Sequence, residues 1–271
     1  MQRLAPRWLY NTAEIELWPA GLLRARRNRD ARLLARADIV LRRKRDGRFL
    51  AACTREAVHP LVPALGREPG LDAALDLLDI LSGPHPLPAA ALADDLPLTG
   101  LRRRLQQLGI GDDYAGRTGL PLVAEPARLA FAGFDRYRRA LWLTEAGARA
   151  WQALRRAALA DGIVLEAISG YRGHDYQLGI FERKFARGLT LAQILAVNAA
   201  PGYSEHHGGN ALDIGTPGEP PAEESFEHTP AFAWLREQAG KHGFHLSYPR
   251  DNPHGIVYEP WHWRFQHDEP H

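Results

Sequence analysis

The run Ser204-Glu205-His206-His207-Gly208-Gly209-Asn210-Ala211-Leu212-Asp213 sets an imidazole and a carboxylate seven positions apart in a stretch too glycine-rich to be a helix. Donors so placed suit a metal ion. Zinc in a hydrolytic site takes three protein ligands, usually histidine nitrogens with a carboxylate, and keeps one position open for water. The third donor has to come from elsewhere in the chain. Glu259-Pro260-Trp261-His262-Trp263-Arg264 supplies it, with a second carboxylate three residues before a histidine and large aromatics on either side. We expect one zinc ion on His206, Asp213 and His262, with Glu259 left as general base. Any fold open to the chain must then bring two stretches distant in sequence to one place.

Cys53 is the only cysteine, so no internal disulfide forms and a metal must be held by nitrogen and oxygen. At 271 residues and 45% hydrophobic content the chain can bury a sizeable core. It has no apolar run approaching the ~18 residues of a membrane span. Met1, Arg3, Pro6 and Arg7, followed by Glu14 and Glu16, lack the apolar centre of a signal peptide, from which we expect no membrane span and a cytoplasmic location. Residues 1–50 hold thirteen Arg or Lys against five Asp or Glu, although the whole chain is only +2. No nucleic-acid motif accompanies this charge, so we read it as a solvated arginine-rich face and expect no nucleic-acid partner. The oligomeric state is not written in these patterns.

Along the chain, Ile39 and Leu41, then Phe49 and Ala51, alternate around Asp46-Gly47, a hairpin signal. Leu71, Leu75, Leu78 and Leu81 recur at helical spacing, and Pro84 to Pro88 reads as a linker. Leu101, Leu105 and Leu108 predict a short helix before Gly109. Thr144 is a suitable N-cap for a helix to about Ala160. Ile163 to Ile168 is the clearest strand and delivers Ser169 to Arg172 at its end. Helices are expected over 174–186, over 190–197 and from Thr229-Pro230 to about His242, with short strands at 211–214, 244–246, 256–258 and 261–265. The fold class is α+β, helices packed on a small antiparallel sheet that carries the zinc site, with an N-terminal extension of mixed hairpin and helices. We place the boundary near 115: residues 1–115 of unknown role, residues 116–271 the zinc domain.

The order Ser-x-His-x-x-Gly-x-Ala-x-Asp followed by Glu-x-x-His, with Ser169-Gly170-Tyr171-Arg172 and Gln177 upstream and Phe226 through Tyr248 between, resembles the VanY-type zinc D-alanyl-D-alanine carboxypeptidases of the lysostaphin and hedgehog-like metallopeptidase fold. The likeness covers roughly the C-terminal half. It implies that Arg172 holds a substrate's terminal carboxylate and that Ser169, Tyr171, Gln177 and Ser204 are further substrate contacts. The implied activity is removal of a C-terminal D-alanine from peptidoglycan stem peptides or muropeptides, D,D or L,D being left open. A non-catalytic zinc-containing binding module and a cell-wall endopeptidase are the alternatives; Glu259 argues against the first. His207 is expected to point away from His206 in an extended segment, which removes it from the ligand set. Trp261 and Trp263 suit packing or a substrate wall equally.

Overall fold

The computed structural model describes residues 8–25, 27–83 and 94–266. The expected linker at Pro84 to Pro88, the first seven residues, His267 and His271 lie outside these. The chain divides into two compact units, Met1–Pro97 with Glu125–Phe131, and Leu98–Ala124 with Ala132–His271. The backbone thus passes between them three times. No helix among the described residues is long and apolar enough to cross a membrane.

The first unit is built on six strands of a seven-stranded antiparallel sheet, β1 (Trp8–Asn11), β2 (Ile15–Pro19), β3 (Ile39–Arg43), β4 (Phe49–Cys53), β5 (Val58–Pro60) and β6 (Arg128–Phe134), in the order β5-β4-β3-β2-β1-β6. The hairpin expected around Asp46-Gly47 joins β3 to β4, and Gly47 supplies the positive φ of 69° that the turn requires. Neighbouring residues of β3 serve opposite faces. Leu41 packs with Ile15, Leu17 and Ala51 beneath Leu71, Leu75 and Leu78 of α2 (Leu71–Ser82), whereas Val40 joins Ala20 and Ala52 beneath Leu33 and Leu34 of α1 (Asn28–Leu34).

One charge is fully buried in this unit. Lys44 at the end of β3 has no exposed side-chain surface, and its ammonium meets Glu125 Oε2 at 2.5 Å. Removing one partner strands the other charge in the interior, which typically costs about 3–5 kcal/mol, while replacing both by apolar groups is far milder. We therefore expect Glu125→Ala to lower unfolding free energy by roughly that amount, and Lys44→Met with Glu125→Leu to recover most of it. Urea denaturation of the three proteins measures this.

The second unit has its own four-stranded antiparallel sheet: β8 (Glu166–Ser169), β9 (Ala211–Gly215), β10 (Phe244–Leu246) and β11 (His262–Phe265), in the order β10-β11-β9-β8. The short strand β7 (Ala140–Leu143) leads into α5 (Glu145–Ala160), whose N-cap Thr144 accepts from the Gly147 N–H. Trp151, Leu154 and Ala158 of α5 are buried, the stripe that the spacing predicts. Helices α3 (Leu101–Gln107), α4 (Tyr114–Thr118), α6 (His174–Ala186) and α7 (Leu191–Leu195) contribute to a second cluster containing Leu105, Tyr114, Phe181, Ile194, Tyr203 and Tyr248. Helix α8 (Pro230–Gln238) begins with proline in its first turn, as Thr229-Pro230 predicts.

Two expected strands differ. The strand after α5 starts at Glu166 and not at Ile163, because Gly162 turns at φ 78° and the N–H of Ile163 is spent on Ala158 O in closing the helix. Residues 256–258 form no strand. Val257 N–H donates to Ala196 O and Asn252 Nδ2 donates to Ile256 O, so their backbone partners lie in loops.

Candidate metal centre

Strand pairing brings the two distant stretches together. His262 at the start of β11 stands directly opposite Asp213 of β9, and Ser169 of β8 pairs with Asp213 on the other side across a register shift. Directly paired residues face the same side of a sheet. The third donor, His206, arrives from a 3-10 turn, Glu205–Gly208, that ends with Gly209 at φ 69°. This turn is held from α5. Thr144 N–H donates to Gly209 O, and its hydroxyl donates to Asn210 Oδ1 at 2.5 Å, so the helix cap also fixes the approach to β9.

Three donor atoms, one each from His206, Asp213 and His262, lie within 4.8 Å of one another, and all three residues are buried. Asp213 Oδ1 is 3.3 Å from His206 Nε2 and 3.1 Å from His262 Nδ1. Ligands at ~2.0–2.1 Å from a tetrahedral centre are about 3.3 Å apart, so two of the three edges already have the length zinc needs. His206 Nδ1 donates to Gly170 O at 2.7 Å, which leaves Nε2 as the lone-pair nitrogen, and this buried atom has no hydrogen-bond partner. An orphaned acceptor of that kind fits a metal ion. Burial, assisted by the Arg172 charge, lowers the His206 pKa to about 4, so the ring is neutral and ready to coordinate.

His262 is oriented by a residue that sequence reasoning passed over. Its Nε2 donates to Glu205 Oε2 at 2.9 Å, leaving Nδ1 for the centre, and Glu205 also accepts from Arg264 Nη1 at 3.1 Å. Burial works against ionising Glu205, but His262 and Arg264 hold it down at about 2. Burial likewise opposes charge on His262, yet Asp213 and Glu205 raise it to about 10, so without a metal Nδ1 carries a proton toward Asp213 that a bound ion would displace. Burial opposes charge on Asp213 as well, and the two histidines hold it far below the usual carboxylate range. A carboxylate behind a metal-ligating imidazole is the usual way of fixing its ring and raising its basicity. The signal was available, since Glu205 directly precedes His206. Glu205→Gln is expected to weaken zinc binding about 10–100-fold with the fold intact, as read by competition with a chelating dye.

Glu259 lies just before β11, its Oε2 3.8 Å from His262 Nδ1. Burial pushes its pKa up to about 7, with the His262 charge opposing. The partner that a purely structural role would give it, Arg264, is engaged by Glu205. A cavity of about 190 Å³ collects Arg172, Gln177, Ser204, His206, Asp213, Glu259 and His262, walled by Tyr248 and Trp261. Arg172 Nε and Gln177 Oε1, in two residues that line it, are buried without hydrogen-bond partners. Ser169 and Tyr171 do not line it. Trp263 is core, its indole N–H donating to Pro260 O.

His207 is outside the donor set, for a different reason from the one expected. The segment is a 3-10 turn and not extended, and the imidazole is fully buried between backbone groups: it accepts from Gly202 N–H at 3.0 Å and donates from Nδ1 to Arg172 O at 2.6 Å.

Residues 140–268 match the family described as VanY: D-alanyl-D-alanine carboxypeptidase. The putative carboxypeptidase YodJ of Bacillus subtilis (strain 168) is 33% identical over 155 residues, 54% of this chain and 56% of that protein. The bifunctional D-Ala-D-Ala dipeptidase and D-Ala-D-Ala carboxypeptidase VanXYC of Enterococcus gallinarum is 31% identical over 146 residues, 52% of this chain and 75% of the relative. The chain belongs to the VanY family. Among solved VanY-type structures, a vancomycin-resistance D,D-pentapeptidase variant in complex with Zn(II) shares 32% identity at a TM-score of 0.39, covering 46% of this chain and 73% of that one. The chain spans just over half the length of YodJ, and the VanY match falls within the unit that holds the centre, leaving the whole of the first unit outside it.

Proposed function

We propose that this VanY-family chain is a zinc-dependent carboxypeptidase that removes a C-terminal D-alanine from peptidoglycan-derived stem peptides or muropeptides. The observation that carries the proposal is the meeting, in one small cavity, of three convergent metal donors, a half-buried carboxyl outside the donor set and an arginine. Arg172 in the cavity wall offers a counter-charge for a free C-terminal carboxylate, which favours the end of a peptide over its middle. The relatives' names, with their D-Ala-D-Ala substrates, support the substrate class.

His206, Asp213 and His262 would hold the ion. When bound, zinc supplies Lewis acidity, acidifying water, polarising the scissile carbonyl and, by its charge, returning Glu259 to the ionised form. Glu259 takes the proton from the attacking water and passes it to the departing amine, so no covalent intermediate is needed. Arg172 presents a planar fork of donors to the substrate's terminal carboxylate, one residue beyond the bond that breaks. Gln177 Oε1 accepts a substrate N–H, and Ser204 lines the same wall. Ser169 and Tyr171, which the resemblance implied, stay outside the proposed contact set. The carboxypeptidase domain expected over 116–271 is, in this proposal, the body around the β8 to β11 sheet.

Metal analysis tests the ligand assignment. Wild type should hold one zinc per chain, and His206→Ala and His262→Ala should each lose it. Full zinc occupancy in both variants would remove these residues as ligands.

A further inference from the structure

We infer that His207 is a positioning residue for Arg172, its imidazole fixing the backbone from which the guanidinium reaches into the cavity. The inference rests on the proposed role of Arg172 as the carboxylate anchor. A neutral imidazole has one donor and one acceptor. Because Nε2 accepts from Gly202 N–H, the proton sits on Nδ1, and that proton is given to Arg172 O. The tautomer is therefore set by a backbone amide thirty residues away in sequence from the carbonyl it serves. On the other side of the same residue, Arg172 N–H donates to His206 O at 3.2 Å. Successive histidines thus hold both peptide groups of Arg172.

The carbonyl tie acts at the base of the Arg172 side chain. The Arg172 carbonyl belongs to the peptide bond with Gly173, which stands at the N-cap of α6 and makes no side-chain cap bond. The guanidinium sits at the end of a long side chain, so a small rotation at its base displaces the fork by more than the ~0.5 Å that a binding constellation tolerates. His207 is in turn braced: the His174 ring stands edge-on to it at 4.4 Å, and His174 Nε2 donates to Val123 O at 2.8 Å. Gly202 N–H and the His174 ring thus brace the imidazole that holds the Arg172 carbonyl.

The test uses the zinc-loaded full chain with Glu259→Gln in every protein compared, the otherwise unchanged chain serving as wild type, so that probes are bound and not cleaved; the probes are a short acyl-peptide ending in D-alanine with a free carboxylate and the same peptide amidated, with dissociation constants read by calorimetry. Wild type should prefer the acid. His207→Leu should lose about tenfold of that preference, within the range of couplings between contacting groups, at unchanged zinc content. His207→Gln, which keeps an acceptor and a donor, should restore most of it. If the Leu variant does not fold, His207→Asn, too short to reach both partners, takes its place. In an Arg172→Ala background the His207 change should have no further effect on the preference. An undiminished preference in the Leu or Asn variant, or the same loss with Arg172 absent, would overturn the inference while leaving the carboxylate anchor standing. A wild type that binds acid and amide alike would overturn the anchor, and His207 as its positioning residue with it.

Discussion

Glu259→Gln is expected to reduce turnover of a muropeptide about 10²–10⁴-fold, the usual contribution of a positioned general base. Zinc content and melting temperature should stay near wild type. The reasoning is geometric: the carboxyl is half-buried beside His262 yet is no member of the donor set. Glutamine keeps its size and hydrogen-bonding capacity and loses only the ability to accept a proton at neutral pH. Glu259→Ala should behave similarly apart from a small packing loss. Near-normal turnover of the Gln variant with zinc in place would take Glu259 out of the mechanism.

Arg172→Ala is the second large effect. Losing one partner of a charge-assisted pair in a partly dry site costs about 2–5 kcal/mol, which is roughly 30- to 5,000-fold in kcat/KM. The loss should be confined to substrates with a free C-terminus, and amidating the substrate should cost wild type about as much as the mutation does. Steady-state kinetics on the acid and amide forms with both proteins gives the comparison. Equal cleavage of acid and amide by wild type would point to an endopeptidase.

The metal centre was more legible in the sequence than the sheet that builds it. His206, Asp213 and His262 are marked by residue type and glycine spacing, and those features survive any uncertainty in where a strand starts. The pairing of His262 with Asp213 is a matter of register, which no local pattern encodes. Thr144 and Thr229 announced their helices because a cap is a local interaction between neighbours in sequence. The strands β1 and β2 went unnoticed for the opposite reason. In β2 four of the five residues, all but Trp18, are buried, so the apolar and polar alternation that reveals a strand is missing. Glu205 and His207 were visible as residues but not as roles. Each acts through a hydrogen bond to a group far along the chain, Glu205 to His262 and His207 to Arg172. Ser169 and Tyr171 show the converse: their motif position was clear, and yet only Arg172 of that motif reaches the cavity.

The most direct measurement offers the zinc-loaded protein tetrapeptide and pentapeptide muropeptides and weighs the products. The account predicts release of a single terminal alanine, from the pentapeptide if the bond is D,D and from the tetrapeptide if it is L,D, with no release from the amidated forms. Cleavage inside the peptide, or no cleavage by protein carrying one zinc per chain, would contradict it.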